Sequence, residues 1–130
     1  MAARPFLDTN VLVRHILADE PTHSPLASAY IQRIEQGEIT VRTADTVIFE
    51  TIYTLQRFYR IPRAVIRDAL LPILRLPGII LPGKSSYRRV LELYVNHPSL
   101  SIADCYHAVL VRRLKLNEII SFDRGFDRIP

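Results

Sequence analysis

The chain has 130 residues, 48% of them apolar and 23% charged, with a formal net charge of +4. That length buries roughly two-thirds of the unfolded surface, so the composition excludes intrinsic disorder and implies one globular domain over residues 1–130. No window reaches the ~18 consecutive apolar residues of a membrane span, and the first residues have no signal-peptide layout. The single cysteine, Cys105, excludes an internal disulfide, and a cytoplasmic location is expected.

Fifteen of the 17 basic residues are arginine. Arginine forks match phosphate oxygens, which favours a nucleic-acid partner. A genome-wide preference for arginine over lysine would produce the same count, and an excess of +4 is modest.

In chain order, Phe6-Leu7 is an apolar strand that runs straight into Asp8, Thr9 and Asn10. Val11 to Ala18 follows as a short helix, ended by Asp19-Glu20-Pro21. Thr22 and Ser24 are the expected caps of a second helix, with Pro25 in its first turn and Gly37 as its stop. Ile39-Thr40-Val41 is a short strand. The next helix is expected from Asp45 to about Tyr59, with Val47, Ile48, Thr51, Ile52, Leu55, Phe58 and Tyr59 on its apolar stripe. Glu50 stands beside that stripe with Tyr53 and Arg57.

Pro62 opens another helix, which Pro72 should kink or end. Ile79-Ile80-Leu81 is a buried strand between the turns Pro77-Gly78 and Pro82-Gly83. Ser85 or Ser86 can cap the helix that carries Tyr87, Val90, Leu91 and Tyr94. Ser101 begins the last long helix, and Glu118 to Phe122 is the expected final strand, ending on Asp123. Short strands separated by helices, with no hairpin signals, imply a short, mostly parallel sheet covered on both faces: a three-layer α/β/α domain.

Most of the 13 acids read as solvated surface groups. Four are embedded in apolar text: Asp8, Glu50, Asp104 and Asp123. Each has a plain structural explanation. Asp8 suits an N-cap, Glu50 a solvent-facing helix position, and Asp123 a turn before Gly125. Ser101-Ile102-Ala103-Asp104 matches a capping box. Taken together they mean more, because two strands that each finish on an aspartate place both acids on one sheet edge if the strands are parallel neighbours. Open α/β sheets put their sites on that edge. Carboxylates gathered there repel one another unless a cation neutralises them, and an all-oxygen donor set selects Mg²⁺ or Mn²⁺ rather than zinc. Such an ion with a basic surface points to phosphodiester hydrolysis.

At these residues the chain resembles the PIN-domain family of ribonucleases, and more closely its VapC-like toxin branch. The matching stretches are residues 6–13 around Asp8, 47–55 around Glu50, 101–108 around Asp104 and 121–126 around Asp123. The resemblance spans almost the whole chain, and it rests on the four together. It implies that Asp8, Glu50, Asp104 and Asp123 form a metal-binding catalytic quartet. It implies that Asn10 orients the site by hydrogen bonding and that Ser121 contacts water or phosphate. Gly125 stands where the family often has a further acid, which leaves a second metal open; Asp127 could assist or substitute for Asp123. The implied activity is cleavage of single-stranded or loop RNA by a Mg²⁺- or Mn²⁺-dependent endoribonuclease, the toxin of a type II pair. A small antitoxin partner and homodimerisation are implied with it. Arg14, Arg112, Arg113, Arg124 and Arg128 are candidate phosphate contacts, although Arg112 and Arg113 equally suit a solvated helix face.

Two other signals are set aside. Residues 78–85 match the Walker A pattern literally, but the intervening residues are themselves a strand ended by a proline. Cys105 and His107 lie two apart and point to different helix faces, which does not suit a nucleophile pair. Two rival functions remain: a non-catalytic PIN-like module binding RNA or protein, and a structure-specific DNA nuclease. Clustered anions serve a pure binder poorly, and the chain is short for the inserted arches of the second.

Overall fold

The computed structural model of the chain describes residues 4–122 and 124–129. Its contacts gather into two compact units, residues 1–84 and 85–130.

The first unit is built on three parallel segments. Strand β1 (Val41–Arg42) pairs with β2 (Ile79–Ile80), Val41 opposite Ile79 and Arg42 opposite Ile80. On the other side of β1, Phe6 forms a parallel bridge with Arg42, and the Leu7 amide donates to the Arg42 carbonyl at 2.7 Å. The Thr43 hydroxyl donates to the Leu7 carbonyl at 3.0 Å, so the first segment is held to its last residue before Asp8. Val41, Ile79 and Leu7 are all buried. They share one buried face, while Arg42 and Phe6 on the other face are exposed. Gly78 lets them close up. A Cβ there would meet Ile34 Cγ2 at 2.9 Å and the Ile39 carbonyl at 3.0 Å.

Helix α1 (Thr9–Leu17) starts where the first segment ends and reverses at Ala18, whose φ of 51° is left-handed. Helix α2 (His23–Glu35) packs on α1. Its expected cap differs from the observed one. Thr22 occupies the N-cap position without a side-chain bond. The Glu20 carboxylate instead accepts the amides of His23 and Thr22, which holds it below the usual carboxylate range. Ser24 turns its hydroxyl back to accept the Glu20 amide at 3.1 Å. Pro25 costs no bond here, because first-turn amides have no partner within the helix.

The α1–α2 contact includes His15, whose Nδ1 lies 2.8 Å from the Ser28 hydroxyl. Burial pushes the imidazole below its ordinary value of 6.5, against the opposing charge of Glu35. The unfolded chain therefore takes up this proton before the folded one does, and stability rises with pH through that window. The melting temperature should fall as pH drops below about 6.5, and a calorimetric pH series on His15→Gln should lose part of that slope.

Helix α3 (Asp45–Tyr53) buries Val47, Ile48, Thr51 and Ile52. The expected single α-helix to Tyr59 is not formed. Thr54–Phe58 is a π-helical turn, closed by a Tyr59 amide to Thr54 carbonyl bond of 3.3 Å. A π-turn winds each residue less far round the axis than an α-turn does. Leu55 stays in the core, but Phe58 falls behind the apolar stripe and is 83% exposed.

Helix α4 (Arg63–Leu74) runs two residues past Pro72. Pro72 lies in the last turn, so it removes one bond near the end without stopping the helix. Lys84 Nζ donates to the carbonyls of Leu76 and Ile79 at 2.8 and 2.7 Å. The lysine of the Walker-like stretch is thus tied into its own loop.

In the second unit, α5 (Tyr87–Asn96) buries Tyr87, Val90, Leu91 and Tyr94 against α6 (Ile102–Arg113). Ser86 holds the N-cap position of α5 without capping it, because its hydroxyl accepts Arg113 at 3.0 Å. The strand expected over residues 118–122 is not formed. The segment is irregular, with Ile120 95% exposed and Phe122 fully exposed. A strand exists only through its ladder, and alternation in the sequence does not supply one.

Candidate active site

The first unit carries Asp8 and Glu50. Asp8 follows the end of the first parallel segment and has the extended backbone of an N-cap (φ −99°, ψ 165°), yet its carboxylate makes no capping bond. It is exposed, and among the described residues no side chain or amide partners it. An uncapped aspartate at a helix start forgoes about 1 kcal/mol. Its carboxylate is thereby left open to solvent and to a cation.

Glu50 is exposed on the outer side of α3. Buried Thr9 donates its hydroxyl to Glu50 Oε2 at 3.1 Å, across 41 residues of sequence. This ties the Glu50 carboxylate to the residue next to Asp8 and leaves its other oxygen open. Thr9 is not among the residues that the sequence singles out; a small hydroxyl directly after a strand-end acid is the signal that could have found it. Thr9→Val should cost on the order of 1 kcal/mol, whereas Thr9→Ser keeps the donor. Thermal denaturation of the two variants separates the hydrogen bond from the packing.

Asn10 is exposed, and with Arg14 it lines an apolar groove of about 480 Å³ that also includes Leu26, Ala27 and Tyr30. Arg14 is committed within the unit. It pairs with Asp19 at 3.1 Å and donates to the Tyr59 hydroxyl at 2.7 Å, and its guanidinium lies over the Tyr59 ring. The Tyr59 hydrogen bond, above all, raises the guanidinium further above its ordinary range.

The second unit carries Asp104 in a complete capping box at the start of α6. The Asp104 amide donates to the Ser101 hydroxyl at 3.1 Å, and the Ser101 amide donates to Asp104 Oδ2 at 3.2 Å. The box fixes the rotamer of Asp104 and uses one carboxylate oxygen. Half-buried Asp104 keeps Oδ1 available, since the box involves Oδ2 alone. Cys105 is buried while His107 is exposed, as their spacing implies. Arg112 is exposed and lines a second groove, of about 440 Å³, with Asp127 and Phe126. Ser121 is exposed within the irregular segment. Asp123 and the side chains of Arg124 and Arg128 lie outside the described residues.

Among the described residues, no three His, Cys, Asp or Glu side chains stand together as a metal-binding group. The donor chemistry nonetheless suits a hard cation. Asp8, Glu50 and Asp104 each present at least one carboxylate oxygen without a hydrogen bond from the described residues, and oxygen donors of this kind favour Mg²⁺ or Mn²⁺. Among the described residues, no helix is long and apolar enough to cross a membrane.

Comparison with known proteins bears on the same residues. The chain is 24% identical over 123 residues to the VapC ribonuclease of Aquifex aeolicus (strain VF5), covering 95% of this chain and 90% of that protein. The profile of the family described as PIN domain matches residues 6–130, one match that runs through both compact units and includes every acid discussed above. With its helix-rich α/β build and short parallel sheet, the chain belongs to the PIN-domain family, whose fold is a three-layer α/β/α.

Proposed function

We propose that this protein is a divalent-metal-dependent endoribonuclease and the toxin of a type II toxin–antitoxin pair. The observation that carries the reading is an uncapped, exposed Asp8 followed directly by Thr9, whose hydroxyl holds Glu50, in a PIN domain related to a VapC ribonuclease. Asp8, Glu50, Asp104 and Asp123 would hold Mg²⁺ or Mn²⁺. When bound, such an ion supplies charge neutralisation at a phosphate and lowers the pKa of a coordinated water. Thr9 keeps Glu50 from swinging away, and the Ser101 box keeps Asp104 from turning. Asn10 and Ser121 are polar groups for orientation, and Arg14, Arg112 and Arg124 are candidate phosphate contacts. The reading takes residues 1–130 as one cytoplasmic domain that acts as a homodimer and is silenced by a small antitoxin.

The test is incubation with a pool of structured RNAs in the presence of Mn²⁺ or of EDTA. Cleavage with Mn²⁺ and none with EDTA is expected. Cleavage undiminished in EDTA overturns the metal dependence.

A further inference from the structure

The helix that carries Glu50 has a second exposed feature. Glu50, Tyr53, Thr54 and Arg57 are spaced three and four residues apart, so they share one face, and the π-turn that takes Phe58 off the apolar stripe brings it round toward them. Tyr53 is 59% exposed, and the Arg57 guanidinium lies 5.7 Å from its ring centroid. Phe58, which helical periodicity would bury, is turned outward by the π-turn. It is not loose, because its ring packs at 5.9 Å and 49° on Tyr59, and Tyr59 is in turn bonded to Arg14. Arg60 follows with a left-handed φ of 55°, held although such a conformation is strained for a side-chain-bearing residue. From residue 51 to 67 there are four arginines and no acid. Among the described residues, neither Arg57 nor Arg60 meets a carboxylate at ion-pair distance.

We propose that this face is a stacking platform for unpaired RNA bases, with Tyr53 and Phe58 as the ring surfaces and Arg57 and Arg60 as the phosphate clamps. The proposal rests on the reading of the protein as a ribonuclease. Fixed, exposed aromatic rings interleaved with arginines that no carboxylate neutralises are what single-stranded nucleic acid needs, since every base offers a π-face and every linkage a charge. A second copy of the chain would bring the same uncompensated arginines against themselves. Tyr53 stands one turn beyond Glu50, so a base stacked there delivers its neighbouring phosphate toward the acids. The platform therefore selects unpaired RNA and sets its register.

The chain contains no tryptophan, which allows a direct readout. Phe58→Trp should bind a short unstructured oligoribonucleotide as tightly as wild type, and its fluorescence should be quenched by that strand but not by the same strand in a duplex. Phe58→Ala and Tyr53→Leu should each weaken single-strand binding about tenfold, measured in EDTA so that cleavage does not intervene. Arg57→Gln should reduce the salt dependence by about one unit of slope. Unquenched indole fluorescence in Phe58→Trp overturns the proposal, as does wild-type affinity in both ring variants. Loss of affinity that tracks dissociation of a dimer in sedimentation also overturns it and assigns the face to contact between copies. Because binding is read without metal or cleavage, a failed platform leaves the nuclease reading standing. Quenching by RNA with no cleavage under any metal removes that reading and keeps the binding surface.

Discussion

Asp8→Asn should abolish metal-dependent RNA cleavage while leaving the fold intact, and Asp104→Asn should do the same. Loss of a neighbouring group that merely orients a metal ligand typically costs about 10- to 100-fold, so losing a ligand should exceed roughly 100-fold in turnover. The fold should survive the first change because Asp8 is exposed and contributes no cap bond to α1. Asn retains the shape and one carbonyl oxygen but removes the charge that the cation requires. Asp104→Asn is more informative, because the amide oxygen can still accept the Ser101 amide and preserve the capping box. Turnover with unaltered circular dichroism is the measurement. Undiminished cleavage in both variants removes the two acids from the metal site. A companion scan should show Mn²⁺ raising the melting temperature of wild type and raising that of Asp104→Asn much less. Equal shifts would place the ion elsewhere.

Ile52→Ala should be the most damaging change in the first unit. Ile52 is fully buried on α3, opposite the exposed side that bears Glu50. Removing it forfeits transfer energy and leaves a cavity, about 2–5 kcal/mol. Against a total stability of about 5–15 kcal/mol, that should lower the melting temperature on the order of 10 °C. Thr46→Ala on the exposed side of the same helix should stay within about 0.5 kcal/mol. Urea unfolding of the two variants checks the contrast. Similar midpoints would mean that α3 is not anchored through this side chain.

Much of the architecture is local enough to be read from residues alone. The strands expected at 39–41 and 79–81, from short apolar runs between turn residues and helices, form as a parallel pair at 41–42 and 79–80. The α6 start follows from Ser101 and Asp104, whose reciprocal bonds need only three residues of spacing. The strand-end position of Asp8 and the outward side of Glu50 are likewise matters of period. Periodicity fails where another group competes for the same donor or acceptor. Ser86 gives its hydroxyl to Arg113 instead of its own helix, and Glu20 displaces Thr22 as the cap of α2.

By itself the sequence determined the helices up to their ends, the first two pairing strands, and the four embedded acids with their order, but not the strand expected over 118–122, because side-chain period, capping chemistry and proline or glycine breaks act within a turn or two. Only the tertiary structure decided that Thr9, 41 residues from Glu50, is the group that holds it. Likewise it decided that a π-turn, rather than a continued α-helix, sends Phe58 out of the core. Both depend on how the helices of the first unit settle against the strands. That packing balances burial of Leu55 and Ile52 against the hydrogen-bond ladder of α3, and no residue-by-residue pattern encodes its outcome.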